Sequence, residues 1–345
     1  MKRVVVDRPG GYERLRVEAA RDPEPVLDEV RVRVRASGVN YADCVIRMGL
    51  YESAKHYVGY PITPGFEVAG TIDAVGSLAR DVAIGTEVIA VTRFGGYASH
   101  VVVPRAQIFA KPRALSFDEA ASIPANFLTA HWALHGLAKV RLGETILVHS
   151  AAGGVGGALS QLGRRAGARV IGVVGRREKI DVARGLGCDA VIDASSGDWV
   201  ARARVLSPRG YEIVLDANGA STLRASFELL CAPGRLVIYG FHSMLPRGRG
   251  RPSLARLART WLATPRFDPL AMTGTNRSVL ALNLSYLFEQ RAILHEGMRD
   301  LLVAFERGEL VAPPITCFAL DDVASAHRAL ETGATVGKLV LVAQP

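Results

Sequence analysis

The chain has 345 residues, 49% of them hydrophobic and 22% charged, which suits about two domains with real apolar cores and excludes an intrinsically disordered chain. Its four cysteines, at 44, 188, 231 and 317, are too dispersed for a zinc knuckle and too few for a disulfide scaffold, so a reducing, cytoplasmic setting is expected. The formal net charge of +9 is local: between Phe241 and Leu280 seven arginines face the single acid Asp268, and without a basic stripe or a nucleic-acid-binding signature no nucleic-acid partner is expected.

Met1-Lys2-Arg3 leads straight into Val4-Val5-Val6 and Pro9-Gly10, and no 18-residue apolar run follows, so neither a leader nor a membrane span is expected. Glu29 to Ala36 alternates charged and apolar residues with period two, as a strand with one wet face requires. Val68 to Val75, Glu87 to Val91 and Ser99 to Val103 read as further short strands of a β-rich domain. Ser116-Phe117-Asp118-Glu119 is a capping box, and Ala121 to Leu137 carries a helical pattern. Strands and helices then alternate: Thr145–His149, a helix over Gly156–Ala166, Arg169–Val173, a helix over Glu178–Leu186, Ala190–Ile192, Glu212–Leu215, Arg235–Tyr239 and Val279–Leu284. That rhythm predicts a parallel, doubly wound six-stranded sheet of α/β class. Leu287 to Val342 offers a helix ending near Gly308, another over Val323–Thr332 and a closing strand, Lys338–Val342. The expected domains are 1–123, 124–286 and a return to the first domain over 287–345.

The first strand-to-helix turn of the alternating region is Ser150-Ala151-Ala152-Gly153-Gly154-Val155-Gly156. Small residues let the backbone approach a pyrophosphate, and free N–H groups at a helix start hold the anion. The second strand ends in Gly175-Arg176-Arg177-Glu178-Lys179, with glycine where NAD-binding folds place an acid for the ribose 2′-hydroxyl. That substitution leaves room for a 2′-phosphate, and Arg176, Arg177 and Lys179 can hold one, so NADPH is the expected cofactor. Asn218 with Gly219, Tyr239-Gly240-Phe241 and Leu284-Ser285 follow later strands at the carboxyl ends where such sheets bind ligands.

These residues resemble the medium-chain dehydrogenase/reductase superfamily and, within it, the quinone oxidoreductase (zeta-crystallin) family. The family's signature is matched by Gly143-Glu144, Leu147, Ala151-Ala152, Gly153-Gly154-Val155-Gly156, Gln161 and Arg164. Gly38-Val39-Asn40-Tyr41-Ala42-Asp43, Gly49-Leu50-Tyr51, Thr63-Pro64-Gly65-Phe66-Glu67 and Gly337-Lys338 extend the likeness over the whole chain. Ala255 to Trp261 and Asn276-Arg277 are similar to the branch of the synaptic-vesicle membrane protein homologues. The resemblance implies a GroES-like β-rich catalytic domain beside a Rossmann domain. It further implies a homodimer paired through the edge strand near Val279–Leu284. Asn40 is then expected to orient the substrate oxygen or ribose, Tyr51 to donate to the substrate carbonyl, Thr129 to contact the nicotinamide end, and Lys338 to approach the cofactor from the other domain.

The zinc alcohol dehydrogenases of that superfamily carry Cys and His ligands where this chain has Asn40 and Phe66. An amide is a poor zinc ligand and a phenyl ring none, so no metal is expected, and the pocket is expected to hold no cation of its own. A simple carbonyl builds alkoxide charge that a Lewis acid normally stabilises, whereas a quinone or α,β-unsaturated carbonyl spreads that charge over its own frame. The expected activity is hydride transfer from NADPH to such a conjugated acceptor. Two alternatives stand beside it: an enoyl-thioester reductase of fatty-acid or polyketide type, and a non-catalytic NADPH-binding protein. The Arg247–Arg259 segment, a basic loop leading into an amphipathic helix over Leu254–Leu262, suggests weak contact with an anionic membrane surface, an acidic partner or an acidic substrate group at the cleft mouth, the alternative being a solvated excursion near a subunit contact.

Overall fold

The computed structural model describes residues 1–343 apart from 246, 247 and 249. The chain opens with β1 (Lys2–Val6), β2 (Leu15–Ala19), β3 (Glu29–Val39), α1 (Tyr41–Arg47), α2 (Glu52–Tyr57), β4 (Glu67–Val75), β5 (Glu87–Val91), β6 (His100–Pro104), β7 (Ile108–Ala110), α3 (Phe117–Ala120) and α4 (Pro124–His131). It continues through β8 (Thr145–His149), α5 (Gly154–Arg165), β9 (Arg169–Val174), α6 (Ile180–Gly185), β10 (Ala190–Asp193), α7 (Trp199–Leu206), β11 (Tyr211–Asp216), α8 (Leu223–Glu228) and β12 (Leu230–Ile238). Last come α9 (Leu254–Ala263), α10 (Pro269–Thr275), β13 (Arg277–Ala281), α11 (Arg291–Glu306), β14 (Ile315–Ala319), α12 (Val323–Thr332) and β15 (Lys338–Val342).

Two compact units result. The first holds Met1–Ala125 and Leu284 onwards together with a short segment ending at Arg251. The second holds Asn126–Pro246 and Pro252–Asn283. In the first, a seven-stranded sheet runs β14-β15-β3-β4-β5-β7, with β6 also on β3. Here the period-two reading of β3 holds: Val30, Val32 and Val34 are buried against Val68, Ile72, Val88 and Val103, while Arg33 and Arg35 face solvent. The second unit is a six-stranded sheet in the order β10-β9-β8-β11-β12-β13, every pair parallel. Such a sheet needs both faces covered, and its strands are accordingly near-continuous apolar runs, Ile146, Leu147 and Val148 being wholly buried.

Three local differences from the sequence reading have physical causes. The continuous helical pattern over Ala121–Leu137 is broken: α3 ends at Ala120, α4 starts at Pro124, and a π-helical stretch occupies Trp132–Ala138. Proline has no N–H to donate back and restricts the residue before it, so it begins a helix rather than continuing one. The capping box forms as read, with the Ser116 hydroxyl accepting from Glu119 N–H at 3.2 Å and Ser116 N–H donating to the Glu119 carboxylate at 2.8 Å. The segment over Glu178–Leu186 tightens into a 3-10 turn, Arg177–Lys179, before α6. Finally, α9 exposes not only Arg256 and Arg259 but also Leu254, Trp261 and Leu262, so solvent covers both its basic and much of its apolar surface. Of the basic segment, Arg247 and Arg249 lie outside the described residues. No helix among the described residues is long and apolar enough to cross a membrane.

α12 packs in the first unit with His327 fully buried. Its Nε2 lies 3.4 Å from the Tyr97 hydroxyl, and burial together with Arg47 pushes the imidazole down to about 3. The folded-state value is thus below the unfolded one, so the neutral ring's contribution is complete above about pH 6.5 and is lost as pH falls towards the folded value. From pH 7.5 to 5.0, the wild-type protein is expected to lose about 2 kcal/mol more unfolding free energy than His327→Gln. Urea unfolding at the two pH values measures this, and equal losses would contradict it.

Candidate active site

In the parallel-sheet unit, β8 ends at His149 and the chain turns through Ser150, whose φ of +56° lies in the left-handed region that non-glycine residues rarely adopt. Gly153 N–H donates to Ser150 O at 2.8 Å and α5 starts at Gly154. A Cβ on Gly156 would fall 2.1 Å from Ser150 O, and one on Gly154 would fall 2.5 Å from Asn126 Nδ2. Backbone therefore demands glycine at 156, and a side chain at 154 would have to displace the buried Asn126 amide. Ala152 is buried beneath the turn, and Val155 is half-buried on the first turn of the helix. The first N–H groups of this 12-residue helix have no intrahelical acceptor, an arrangement that can cradle an anion.

β9 runs beside β8, with Val173 paired to His149. Just beyond it, a Cβ on Gly175 would meet nothing within 4 Å. Arg176 and Arg177 are exposed there, Arg176 only 3.7 Å from Glu178. Burial and the Arg176 charge hold the Lys179 ammonium below its ordinary pKa. Gly175 thus has open space beside it, and three cationic residues follow within four positions of the chain. On the other side of β8, the structure brings together three residues singled out in the sequence. Ser150 Oγ lies 3.5 Å from Asn218 Oδ1, and the Tyr239 hydroxyl donates to His149 O at 3.0 Å. A Cβ on Gly240 would press to 2.8 Å on Ala217 O, and Phe241 lies against Gly219. Thr129 is buried on α4.

Asn40, Tyr51, Leu284, Ser285 and Lys338 belong to the other unit. Lys338, the first residue of β15, is buried; its Nζ donates to Glu67 Oε1 and to Asn40 Oδ1, both at 2.6 Å. Asn40 Nδ2 donates to the same Glu67 oxygen at 2.9 Å, and Glu67 Oε2 accepts from Ala125 N–H at 2.6 Å. The expectation of a pocket without a cation is thereby corrected: an ammonium stands 2.6 Å from Asn40, with a wholly buried carboxylate equally near to neutralise it. Sequence reasoning assigns Glu67 no role. The signal was its place directly after Phe66, at the start of a strand where an acid has no solvent to face.

The Tyr51 hydroxyl shares a 3.0 Å hydrogen bond with the Ser285 hydroxyl, so two side chains expected to serve different partners meet each other. Tyr51 packs edge-on to Phe66, with centroids 5.9 Å apart, and Phe66 in turn lies 5.5 Å from Phe94. Leu284 is buried beside Ser285. A phenol tip among aromatic rings, with a hydroxyl to orient it, can present a proton donor to a flat apolar molecule.

Removing one member of a buried ion pair leaves the other uncompensated, at a cost of about 3–5 kcal/mol. Lys338→Met and Glu67→Gln are each expected to lower unfolding free energy by about that much, and the double variant by clearly less than their sum. Urea denaturation gives the cycle, and single losses below about 1 kcal/mol would contradict the burial of a charged pair.

Residues 27–113 match the alcohol dehydrogenase GroES-like domain family and residues 186–341 the family described as zinc-binding dehydrogenase. The synaptic vesicle membrane protein VAT-1 homolog of Rattus norvegicus is 33% identical over 338 residues, covering 97% of this chain and 82% of that protein. The crystal structure of Escherichia coli quinone oxidoreductase complexed with NADPH superposes with a TM-score of 0.85 at 26% identity, covering 99% of this chain and 100% of that one. The CurK enoyl reductase structure superposes with a TM-score of 0.86 at 25% identity, covering 99% of each chain. With a GroES-like region, a six-stranded parallel sheet and these relatives, the chain belongs to the zinc-independent medium-chain dehydrogenase/reductases, in the quinone oxidoreductase family.

Proposed function

We propose that the protein is an NADPH-dependent reductase acting on a conjugated acceptor, a quinone or an α,β-unsaturated carbonyl. The observation that carries this reading is the closed Lys338–Glu67–Asn40 set. Within it Asn40 stands at a position where the zinc enzymes of the superfamily keep a ligand, and the set offers a balanced pair in place of a free cation. An acceptor there must spread incoming negative charge over its own frame. NADPH supplies the hydride when bound. The α5 N-terminus and the turn Gly153–Gly156 would hold its pyrophosphate, while Arg176, Arg177 and Lys179 would hold the 2′-phosphate around the space beside Gly175. Tyr51, oriented by Ser285, donates to the acceptor oxygen, and Asn40 keeps one amide N–H beyond its bonds to the ion pair for orienting substrate. The likeness to the CurK enoyl reductase supports a second reading in which the conjugated carbonyl is a thioester. β13 ends its sheet with β12 as its one neighbour in the strand order, and that outer edge would pair with the same strand of a second copy to make a homodimer.

If two charge-assisted bonds reach the 2′-phosphate at roughly 1.5–3 kcal/mol each, NADPH is preferred over NADH by tens-fold or more. Steady-state KM values for the two coenzymes should show that preference. Gly175→Asp should reverse it by placing a carboxylate in the open space. Equal KM values in the wild-type protein would refute the assignment. Tyr51→Phe is expected to lower kcat by about 100-fold or more with the KM for NADPH unchanged. An unaltered kcat would remove Tyr51 from the proton step.

A further inference from the structure

Asp216, at the carboxyl end of β11, is fully buried. Its Oδ1 accepts from Asn218 N–H at 2.8 Å, Gly219 N–H at 3.1 Å and the Thr222 hydroxyl at 2.9 Å. Backbone amides can only donate, so this oxygen is held as an acceptor. Its Oδ2 takes the hydroxyl of Ser226, on α8, at 2.7 Å. Ser226 has one proton, and with that proton directed at Asp216 only lone pairs remain to face His149 Nε2 at 3.0 Å. Nε2 must therefore carry the ring proton. A neutral imidazole protonated at Nε2 is bare at Nδ1, whose neighbour is Asn218 Nδ2 at 3.3 Å. The Asn218 amide is thus turned with its NH2 towards the ring and its Oδ1 towards Ser150 Oγ, 3.5 Å away. The ring has little freedom to turn: it is 1% exposed and packs edge-on against Trp199 with centroids 5.0 Å apart, and the backbone carbonyl of His149 itself accepts from the Tyr239 hydroxyl. Burial also lowers the imidazole pKa, which keeps it neutral.

We infer that Asp216, Ser226 and His149 form a directional hydrogen-bond relay that fixes the amide orientation of Asn218 at the carboxyl edge of the parallel sheet. The relay thereby sets the donor and acceptor pattern met by the nicotinamide-ribose half of the cofactor. This rests on the NADPH reading above. β9, with Gly175 and its three cations, lies on one side of β8 and β11 on the other. A dinucleotide with its pyrophosphate at the β8–α5 turn and its adenosine end by Gly175 leaves its nicotinamide half over β11. Asp216, Ser226 and His149 are buried and act through Asn218; they are positioning residues. The sequence Ser-His-Asp composition of the group does not make it a hydrolase, because the serine proton is committed to the carboxylate and the serine itself is 0% exposed.

The relay is tested on the full-length protein by two measurements. Ring-nitrogen NMR of the 15N-histidine-labelled wild-type chain should show His149 as the Nε2–H tautomer. A proton on Nδ1 would overturn the relay without any variant being needed. Calorimetric titration should then compare NADPH with adenosine 2′,5′-bisphosphate, which lacks the nicotinamide half. Ser226→Ala, which frees the ring to take the other tautomer and the amide to flip, should weaken NADPH by about tenfold while leaving the bisphosphate within about twofold. Ser226→Cys, which keeps a hydrogen-bonding group of similar size, should recover part of the loss. Unchanged NADPH affinity in Ser226→Ala, or equal losses for both ligands, would overturn the inference and leave the cofactor assignment standing. Wild-type protein that binds neither ligand would instead overturn the cofactor assignment, and the tautomer alone would then decide the relay.

Discussion

The first unit is organised around a charged pair that water cannot reach. Lys338 and Glu67 come from opposite ends of the sequence, from the starts of β15 and β4, and Asn40 follows the last residue of β3. Ala125 N–H completes the set from the start of α4. Taking two ions out of water costs several kcal/mol each, a cost offset only where geometry and additional hydrogen bonds satisfy both. Here each Glu67 oxygen is engaged, and the ammonium has two acceptors. The backbone also makes room: a Cβ on Gly38 would fall 2.3 Å from Glu67 Oε1, so the carboxylate occupies the space that a side chain at this position would fill. The chemical consequence is that the cation beside Asn40 is already compensated. On the function proposed, a developing alkoxide would meet a neutralised pair, whereas an enolate or hydroquinone anion would distribute its own charge and need only a donor such as Tyr51.

The second unit solves a different problem, how to bring bare backbone to an anion. Its answer is steric rather than electrostatic at first. Glycines at 154 and 156 let α5 begin close against Ser150 and Asn126, and the helix start then presents its unpaired N–H groups. Order on the far side of the turn is supplied by Asp216, whose bonds to Asn218, Gly219, Thr222 and Ser226 tie β11 to α8 before any ligand arrives. A site assembled from such supports loses little entropy on binding because its donors are already aimed.

The amount of this that was legible in the sequence follows the range of the interaction involved. The alternation of β3, the βαβ rhythm and the glycine turn are short-range patterns, and each appears where the residues place it. The helical reading from Ala121 to Leu137 went wrong at Pro124 because apolar periodicity carries no information about a missing N–H. Leu15–Ala19 alternates over only five residues and buries none of them fully, Ile108–Ala110 and Ile315–Ala319 are short with mixed burial, and all three are strands chiefly because a neighbour pairs with them. Long-range polar partners were the least visible. Lys338 and Asn40 were singled out for contacts with ligands, yet 298 residues of chain separate two groups that hydrogen-bond to each other. The partnership of Tyr51 with Ser285 and the chain from Asp216 to Asn218 likewise exist only once distant strand ends and helices have been brought together.

The central claim is that the acceptor, rather than a cation in the site, must carry the negative charge delivered with hydride. It is tested most directly by following NADPH oxidation with matched pairs of acceptors that differ only in conjugation, such as an enone and its saturated ketone, alongside a quinone. Turnover of the quinone and the enone is expected, with none detectable for the saturated ketone. Comparable kcat/KM values for the enone and the saturated ketone would contradict it.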